Sequence, residues 1–177
     1  MRVLISLLLA FWVALAAAQA PPKPGAKDLC PVCGMLVSKY PNWVATIMYR
    51  DGHAHHFDGA KDMFKFWHDP AKYAAGHRRE DMAAIWVTDF YGLARIDAKK
   101  AYYVAGSDVL GPMGHEFVPL ANREDAAEFL KDHKGKRILN FDQVVRGMAD
   151  AVDRRVAHLQ VGAGHVDEGA QHHRAVW

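Results

Sequence analysis

The fold of this chain is decided by residues 43–57, WVATIMYRDGHAHHF. Residues 43–49 alternate β-branched and aromatic side chains with smaller ones, a pattern typical of a strand. Asp51-Gly52 is a strong signal for a tight hairpin turn. Residues 53–57 then predict the return strand. The stretch therefore predicts an antiparallel hairpin, around which the neighbouring elements can be placed.

Two sets of elements with the same order surround and follow this hairpin. In the first, a helix over residues 60–68 ends at Asp69-Pro70, and a short strand follows over residues 84–88. In the second, strands are predicted at 101–105 and 115–120, a helix from Arg123 to His133 with Asn122 as its N-cap, and a strand at 136–139. We interpret residues 89–99 as a link. The pattern predicts an α+β fold of two small ββαβ units in tandem, with a C-terminal helix and a flexible tail.

The chain is expected to divide into four segments. They are a signal peptide at 1–20, a first ββαβ unit carrying the cysteine motif at 21–90, a second unit plus the C-terminal helix at 91–158, and a His-rich flexible tail at 159–177. Asn140 or Asp142 is expected to cap the C-terminal helix. Histidines recur every seven residues at His158, just before the tail, and at His165 and His172 within it. The tail is interpreted either as a soluble extension or as a loose metal-gathering segment.

The first twenty residues predict export. Arg2 is followed by an apolar run over residues 3–15 and by an Ala18-Gln19-Ala20 cleavage site. The apolar run is shorter than the ~20 residues that a membrane-spanning helix needs. No cysteine lies at the cleavage site, so no lipid anchor is expected there. We therefore predict a periplasmic protein without an integral membrane span after signal cleavage.

Charge and motif content exclude several classes of protein. The formal net charge is +2 at pH 7, and the basic residues are spread through the chain, which disfavours a nucleic-acid partner. No serine or cysteine nucleophile is paired with a base, and no Gly-rich phosphate loop is present. The sequence gives no sign of an enzyme.

Both cysteines of the chain lie in Cys30-Pro31-Val32-Cys33-Gly34-Met35. In an exported protein such a pair can form a disulfide, a redox couple or a metal site. The two-residue gap closes a loop too short to give a disulfide much entropic effect. Thiolates and thioethers are soft ligands that favour Cu(I), with Zn(II) as the usual competitor. Cys30, Cys33 and Met35 are therefore candidate metal ligands.

Two further candidates lie in the second unit. Met113 is in the loop Gly111-Pro112-Met113-Gly114, where a methionine has little apolar company, and His115 could add a nitrogen donor. On the first hairpin, His53 and His55 share a face and His56 points to the other face. We interpret those three as solvated hairpin histidines.

Residues 29–73 resemble the TRASH/YHS type of small metal-binding domain. The matching features are the pattern C-P-V-C-G-M-x-V at 30–37, the hairpin from Tyr49 to Phe57, and the helix that runs into Phe66. Where those domains carry a second cysteine pair, this chain has Asp58 and Asp62.

Residues 28–145 resemble the NosL family of copper-binding proteins. The matching pieces are Cys33-Gly34-Met35, residues 111–114 with 117–120, the helix ending at 133–135, and residues 138–142. The resemblance implies two ββαβ units and a copper chaperone for the maturation of nitrous oxide reductase. It also implies Cu(I) ligation by a cysteine of the N-terminal motif, Cys33 or Cys30, and by Met113.

The residues and the resemblance together lead to one main hypothesis and two alternatives. The main hypothesis is a periplasmic Cu(I)-binding metallochaperone that delivers copper to a copper enzyme, nitrous oxide reductase. The alternatives are a thiol–disulfide oxidoreductase using Cys30 and Cys33, and a zinc-stabilised interaction module. The Pro-rich segment before the motif disfavours the redox alternative, because a catalytic pair is expected at a helix N-terminus.

Overall fold

The computed structural model describes residues 20–153. It contains two antiparallel sheets and three α-helices with full bounds in this range, and residues 148–153 are also helical. The strands are β1 Ala45–Tyr49, β2 Ala54–Phe57, β3 Met82–Thr88, β4 Arg95–Asp97, β5 Tyr102–Gly111, β6 Gly114–Leu120 and β7 Arg137–Asn140. The helices are α1 Ala60–His68, α2 Pro70–Tyr73 and α3 Arg123–Asp132. The predicted tail and all but the last residue of the predicted signal peptide lie outside the described residues.

The predicted α+β fold with two ββαβ units is confirmed. The first sheet has the strand order β2-β1-β3-β4 and the second has the order β6-β5-β7. In both sheets the first strand of the unit lies between the second and the third, and the helix follows the second strand. The hairpin of residues 43–57 forms as predicted, with Thr46 opposite His56 and Ile47 opposite His55. The division at residues 90 and 91 stays a prediction.

Two predictions about the connections are wrong. The segment interpreted as a link contains β4, which pairs with β3 at the edge of the first sheet. Its three residues include only Ile96 as an apolar side chain, too little for a sequence pattern. After Asn140 the chain forms a 3₁₀ turn over Phe141–Gln143 rather than a continuous helix. Helical structure resumes at residue 148, after Gly147 with a φ of 80°.

Helix α1 lies between the two sheets and packs on both. On one side Phe66 contacts Phe57 of the first sheet, with ring centroids 5.3 Å apart. On the other side Phe64 lies 4.9 Å from Tyr103 and 5.7 Å from Phe117 of the second sheet. All five side chains are buried. The two units therefore share one apolar core, and α1 is held at its centre.

Helix α3 covers the outer face of the second sheet. Phe129 and Ala126 pack on the buried strand residues Val104, Val118 and Leu120. Asn122 caps the helix as predicted, since its Oδ1 accepts a hydrogen bond of 2.8 Å from the Asp125 N–H. Every helix in residues 20–153 is too short or too polar to cross a bilayer.

Candidate metal centre

The cysteine motif folds into a tight turn that directs both thiols inward. The Cys30 N–H donates to the Met35 carbonyl at 2.9 Å, and the Gly34 N–H donates to the Cys30 carbonyl at 2.8 Å. Gly34 has a φ of 77°, in the left-handed region that a residue with a Cβ seldom adopts. The cysteines remain unlinked thiols.

Two carboxylates meet these thiols. Asp58 follows the end of β2, and Asp62 lies in the first turn of α1. The Cys33 thiol donates to Asp58 Oδ1 at 3.2 Å, and the Cys30 thiol donates to Asp62 Oδ2 at 3.5 Å. One donor atom from each of the four residues lies within 4.8 Å of the others. We call these four residues the thiol–carboxylate cluster.

Most of the cluster is shielded from solvent. Cys30, Asp58 and Asp62 are buried, whereas Cys33 is half-buried. Asp58 Oδ2 is buried and has no hydrogen-bond partner among the described residues. A buried carboxylate oxygen without a partner is costly, and a bound cation would compensate it. The donor set itself is therefore suited to a metal ion.

Burial sets the protonation of the cluster in the metal-free protein. It raises the pKa of the Cys33 thiol to about 12, and it raises the pKa of Cys30 beyond that with a further contribution from the charge of Asp62. Both cysteines are therefore neutral thiols at pH 7. Binding a metal ion would require each coordinating thiol to lose its proton.

The tip of the β5–β6 hairpin is fastened beside this cluster by a buried lysine. Lys61 Nζ donates to the backbone carbonyls of Met113 and His115, each at 2.8 Å, and pairs with Asp153 at 2.7 Å. Lys61 immediately precedes Asp62. The Met113 residue is 44 % exposed, so the hairpin presents a thioether at the surface on the side of the molecule where α1 begins.

The predicted ligands thus have different surroundings. Cys30 and Cys33 come together as the metal hypothesis requires. Met35 closes the cysteine turn through its carbonyl, and its side chain is half-buried. His115 lines a separate cavity of about 230 Å³ with Phe117 and Leu139, and its Nδ1 has no hydrogen-bond partner in the described part of the chain. Ligand roles for Met35, Met113 and His115 remain proposals.

A third buried carboxylate, outside the cluster, supports the start of α1. Glu116 Oε1 accepts hydrogen bonds from the N–H groups of Lys61 at 2.5 Å and of Phe117 at 2.9 Å. It therefore satisfies a free donor in the first turn of α1, whose N-cap Gly59 has no side chain. Burial raises the pKa of Glu116 to about 8. A Cβ on Gly59 would overlap Glu116 Oε2, so this close approach requires glycine.

Asp58 and Asp62 were not predicted as ligands. The signal was present in the sequence, because both residues stand where the TRASH/YHS domains that residues 29–73 resemble carry a second cysteine pair. An aspartate at the end of a strand or in the first turn of a helix is, however, also common as a cap.

The fold and the cluster define a small α+β protein. Residues of the kinds that bind metals form a largely buried cluster in its first unit, and a hairpin of its second unit carries an exposed methionine. The family model NosL matches residues 21–149, which is most of the chain. The chain belongs to the NosL family.

Known proteins resemble the chain in sequence and in fold. It is 28 % identical over 141 residues to the copper-binding lipoprotein NosL of Stutzerimonas stutzeri, a match that covers 78 % of this chain and 70 % of that protein. Its fold is similar to the crystal structure of the copper chaperone NosL from Shewanella denitrificans. That match has a TM-score of 0.60 and 23 % identity, and it covers 72 % of this chain and 97 % of the other.

Proposed function

We propose that this protein is a Cu(I)-binding metallochaperone of the periplasm. The observation that carries the proposal is the thiol–carboxylate cluster, in which two thiols converge within reach of one ion. Thiolate sulfur is a soft ligand and selects Cu(I) over harder cations. The names of the two relatives, a copper-binding lipoprotein and a copper chaperone, agree with this choice of metal.

The arrangement suits a metal that must be released. Cys30 and both aspartates form a buried inner side, and half-buried Cys33 forms the outer side. We propose that the exposed Met113 adds a weak thioether ligand from the second unit. An acceptor protein can approach Cys33 and Met113 and replace them in turn, while Cys30 still holds the ion.

The redox alternative conflicts with the protonation of the thiols. Catalytic cysteines have a lowered pKa, because the thiolate is the attacking species. Here burial raises the pKa of both thiols, and the neighbouring carboxylates disfavour a thiolate further. The cysteine pair is therefore expected to be a poor thiol–disulfide catalyst.

The zinc-stabilised module is the second candidate, because a set of two thiolates and two carboxylates also fits tetrahedral Zn(II). Such a module should unfold when a chelator removes its metal. The shared apolar core includes Cys30 but is built mainly from side chains of α1 and of both sheets, so we expect the metal-free chain to stay folded. Circular dichroism with and without a chelator distinguishes a zinc-stabilised module, which should unfold, from a copper chaperone, which should stay folded.

Competition with a Cu(I)-specific chelator tests the copper proposal. The reduced protein should take up one Cu(I), and Cys33→Ser should weaken binding by roughly 100-fold, with a smaller loss of about 10-fold for Met113→Leu. Met82→Leu, a methionine substitution on β3, is the matched control and should have no effect. No uptake, or uptake that Cys30→Ser and Cys33→Ser leave unchanged, would contradict the proposal.

The receiving enzyme that we propose is nitrous oxide reductase, in keeping with the family resemblance and with the predicted export signal. Deleting the gene should give a reductase that is exported but deficient in copper. Complementation with the wild-type chain, but not with Cys33→Ser, should restore the metal content. A reductase with full copper in the deletion strain would contradict this client.

A further inference from the structure

A second group of potential ligands lies at the opposite end of the first hairpin from the thiol–carboxylate cluster. His53 immediately precedes β2, His55 is the second residue of β2, and His77 lies in the loop between α2 and β3. One ring nitrogen from each lies within 4.8 Å of the others. Asp58 follows the far end of β2, so at ~3.3 Å per residue the two groups are separated by roughly 10 Å or more.

We propose that His53, His55 and His77 form a second metal site, which takes a divalent late transition ion, Cu(II) or Zn(II). Three imidazoles with an open fourth position are a recurrent donor set for these ions. Metal–nitrogen bonds of ~2.0–2.1 Å would require the nitrogens to approach more closely than 4.8 Å. Small rotations of the rings provide this, since His53 is exposed and His77 lies in a loop.

The rings are gathered around a buried tyrosine. Tyr49 lies with its ring centroid 4.5 Å from that of His77, 5.5 Å from His55 and 5.9 Å from His53. Its hydroxyl is 3.2 Å from His55 Nδ1. A ligating histidine commonly engages its second nitrogen in such a bond, which fixes the ring and its tautomer. The contact therefore assigns Nε2 of His55 to the metal.

The surroundings keep the central imidazole available as a ligand. His55 is half-buried and its ring packs 5.0 Å from that of Phe66. Burial, together with the neighbouring His53 and His77, lowers the pKa of His55 to about 4. His55 is therefore a neutral imidazole at pH 7. The interpretation of the three hairpin histidines as solvated is therefore wrong for His55, which is half-buried, and for His56, which is buried.

The third histidine of the strand provides an internal contrast. His56 points to the other face of β2, is buried, and its Nδ1 lies 2.8 Å from Thr46 Oγ1. Its side chain is thereby occupied within the core. Because side chains alternate between the two faces of a strand, His56 points into the core while His53 and His55 point towards His77.

Nuclear magnetic resonance of the histidine rings tests this site in the full-length mature protein. The thiol–carboxylate cluster is first loaded with Cu(I) under reducing conditions, and Zn(II) is then added as a diamagnetic probe. One equivalent should shift the ring signals of His53, His55 and His77 together, while those of His56 stay in place. Because the readout is specific to each residue, binding by histidines of the C-terminal segment is recognised separately.

Variants quantify the site and separate binding from folding. His77→Gln, in a loop, should weaken Zn(II) binding at this site by roughly 100-fold, since loss of an outer-shell partner alone costs ~10–100-fold. Tyr49→Phe removes such an outer partner of His55 and should weaken Zn(II) binding by ~10–100-fold. His133→Gln on the far side of the second sheet is the control and should leave binding unchanged.

Shifts confined to the C-terminal histidines, or unchanged Zn(II) affinity in the folded His77→Gln protein, would overturn the proposal. This outcome is independent of the copper proposal, because Cu(I) uptake by Cys30 and Cys33 is measured before Zn(II) is added.

Discussion

The two ββαβ units share one strand order, but their helices begin differently. In the second unit Asn122 caps α3 with its own side chain. In the first unit Gly59 precedes α1 without a cap of its own, and Glu116 from the second unit accepts the hydrogen bond from Lys61 N–H. Asp58 and Asp62, the two carboxylates at this helix start, are turned to the thiols instead.

The difference shows how a repeated unit acquires a site. A helix start that caps itself contributes stability alone. At the start of α1, where Glu116 accepts the hydrogen bond from the helix, Asp58 and Asp62 can contact the two thiols. The cost is dependence on the second unit, because Glu116 and the carbonyls that hold Lys61 both belong to the β5–β6 hairpin. The first helix start is therefore predicted to be far more sensitive to change than the second.

The largest expected effect concerns the pH dependence conferred by Glu116. Its pKa is raised to about 8 in the folded protein, above the ordinary value, so its contribution to stability is complete below about pH 4.5 and is lost as pH rises through 8. The free energy of unfolding should therefore fall by about 3 kcal/mol between pH 5 and pH 8. Urea unfolding at the two pH values measures the loss.

Glu116→Gln, which imitates the protonated form, should remove most of this pH dependence. Glu124→Gln makes the same substitution in the first turn of α3, where the side chain is exposed, and should leave the pH dependence as it is. Equal pH dependence in wild type and Glu116→Gln would show that the cap is not the titrating group.

A somewhat smaller effect is expected from a single methyl group on Gly59. The added Cβ would overlap Glu116 Oε2, so Gly59→Ala should destabilise the protein by about 2 kcal/mol, a typical cost of overpacking. Chemical denaturation provides the measurement. In a Glu116→Ala background the same substitution should cost much less, since its clash partner is gone. Additive losses in the double variant would exclude the proposed overlap.

The smallest effect belongs to the self-capped helix. Asn122→Ala should lower the free energy of unfolding by about 1 kcal/mol, because one capping hydrogen bond is lost. Because α3 packs on the face of the second sheet away from α1, Cu(I) affinity should stay at the wild-type value. A change in Cu(I) affinity as large as that of Cys33→Ser would mean that the two helix starts are not independent.

Local signals allowed much of the fold to be predicted. The hairpin of residues 43–57 has an Asp-Gly turn between alternating strands, and the ββαβ order recurs in two places. Strand β4 was missed because pairing with β3 forms it, rather than a pattern within Arg95–Asp97. The helix expected after Asn140 was wrong because a capping box also suits a short 3₁₀ turn, and Gly147 interrupts the chain shortly after that turn.

The sequence predicted the two cysteines of the candidate site but not its two aspartates. The spacing of Cys30 and Cys33 brings their sulfurs together through local geometry alone. Asp58 and Asp62 reach them from 25 and 32 residues away, through the packing of β2 and α1 against the cysteine turn. The histidine cluster likewise depends on where the loop carrying His77 returns, and no periodicity in the sequence encodes that position.

The measurement that tests the copper site most directly is the Cu(I) dissociation constant at pH 6, 7 and 8, for the wild type and for Cys30→Ser. Both thiols have a raised pKa and are protonated throughout this range, so each coordinating sulfur releases one proton. Wild-type affinity is predicted to rise about 100-fold per pH unit, and the affinity of Cys30→Ser is predicted to rise about 10-fold per unit. An affinity independent of pH, or the same dependence in both proteins, would contradict a copper site built on the two thiols.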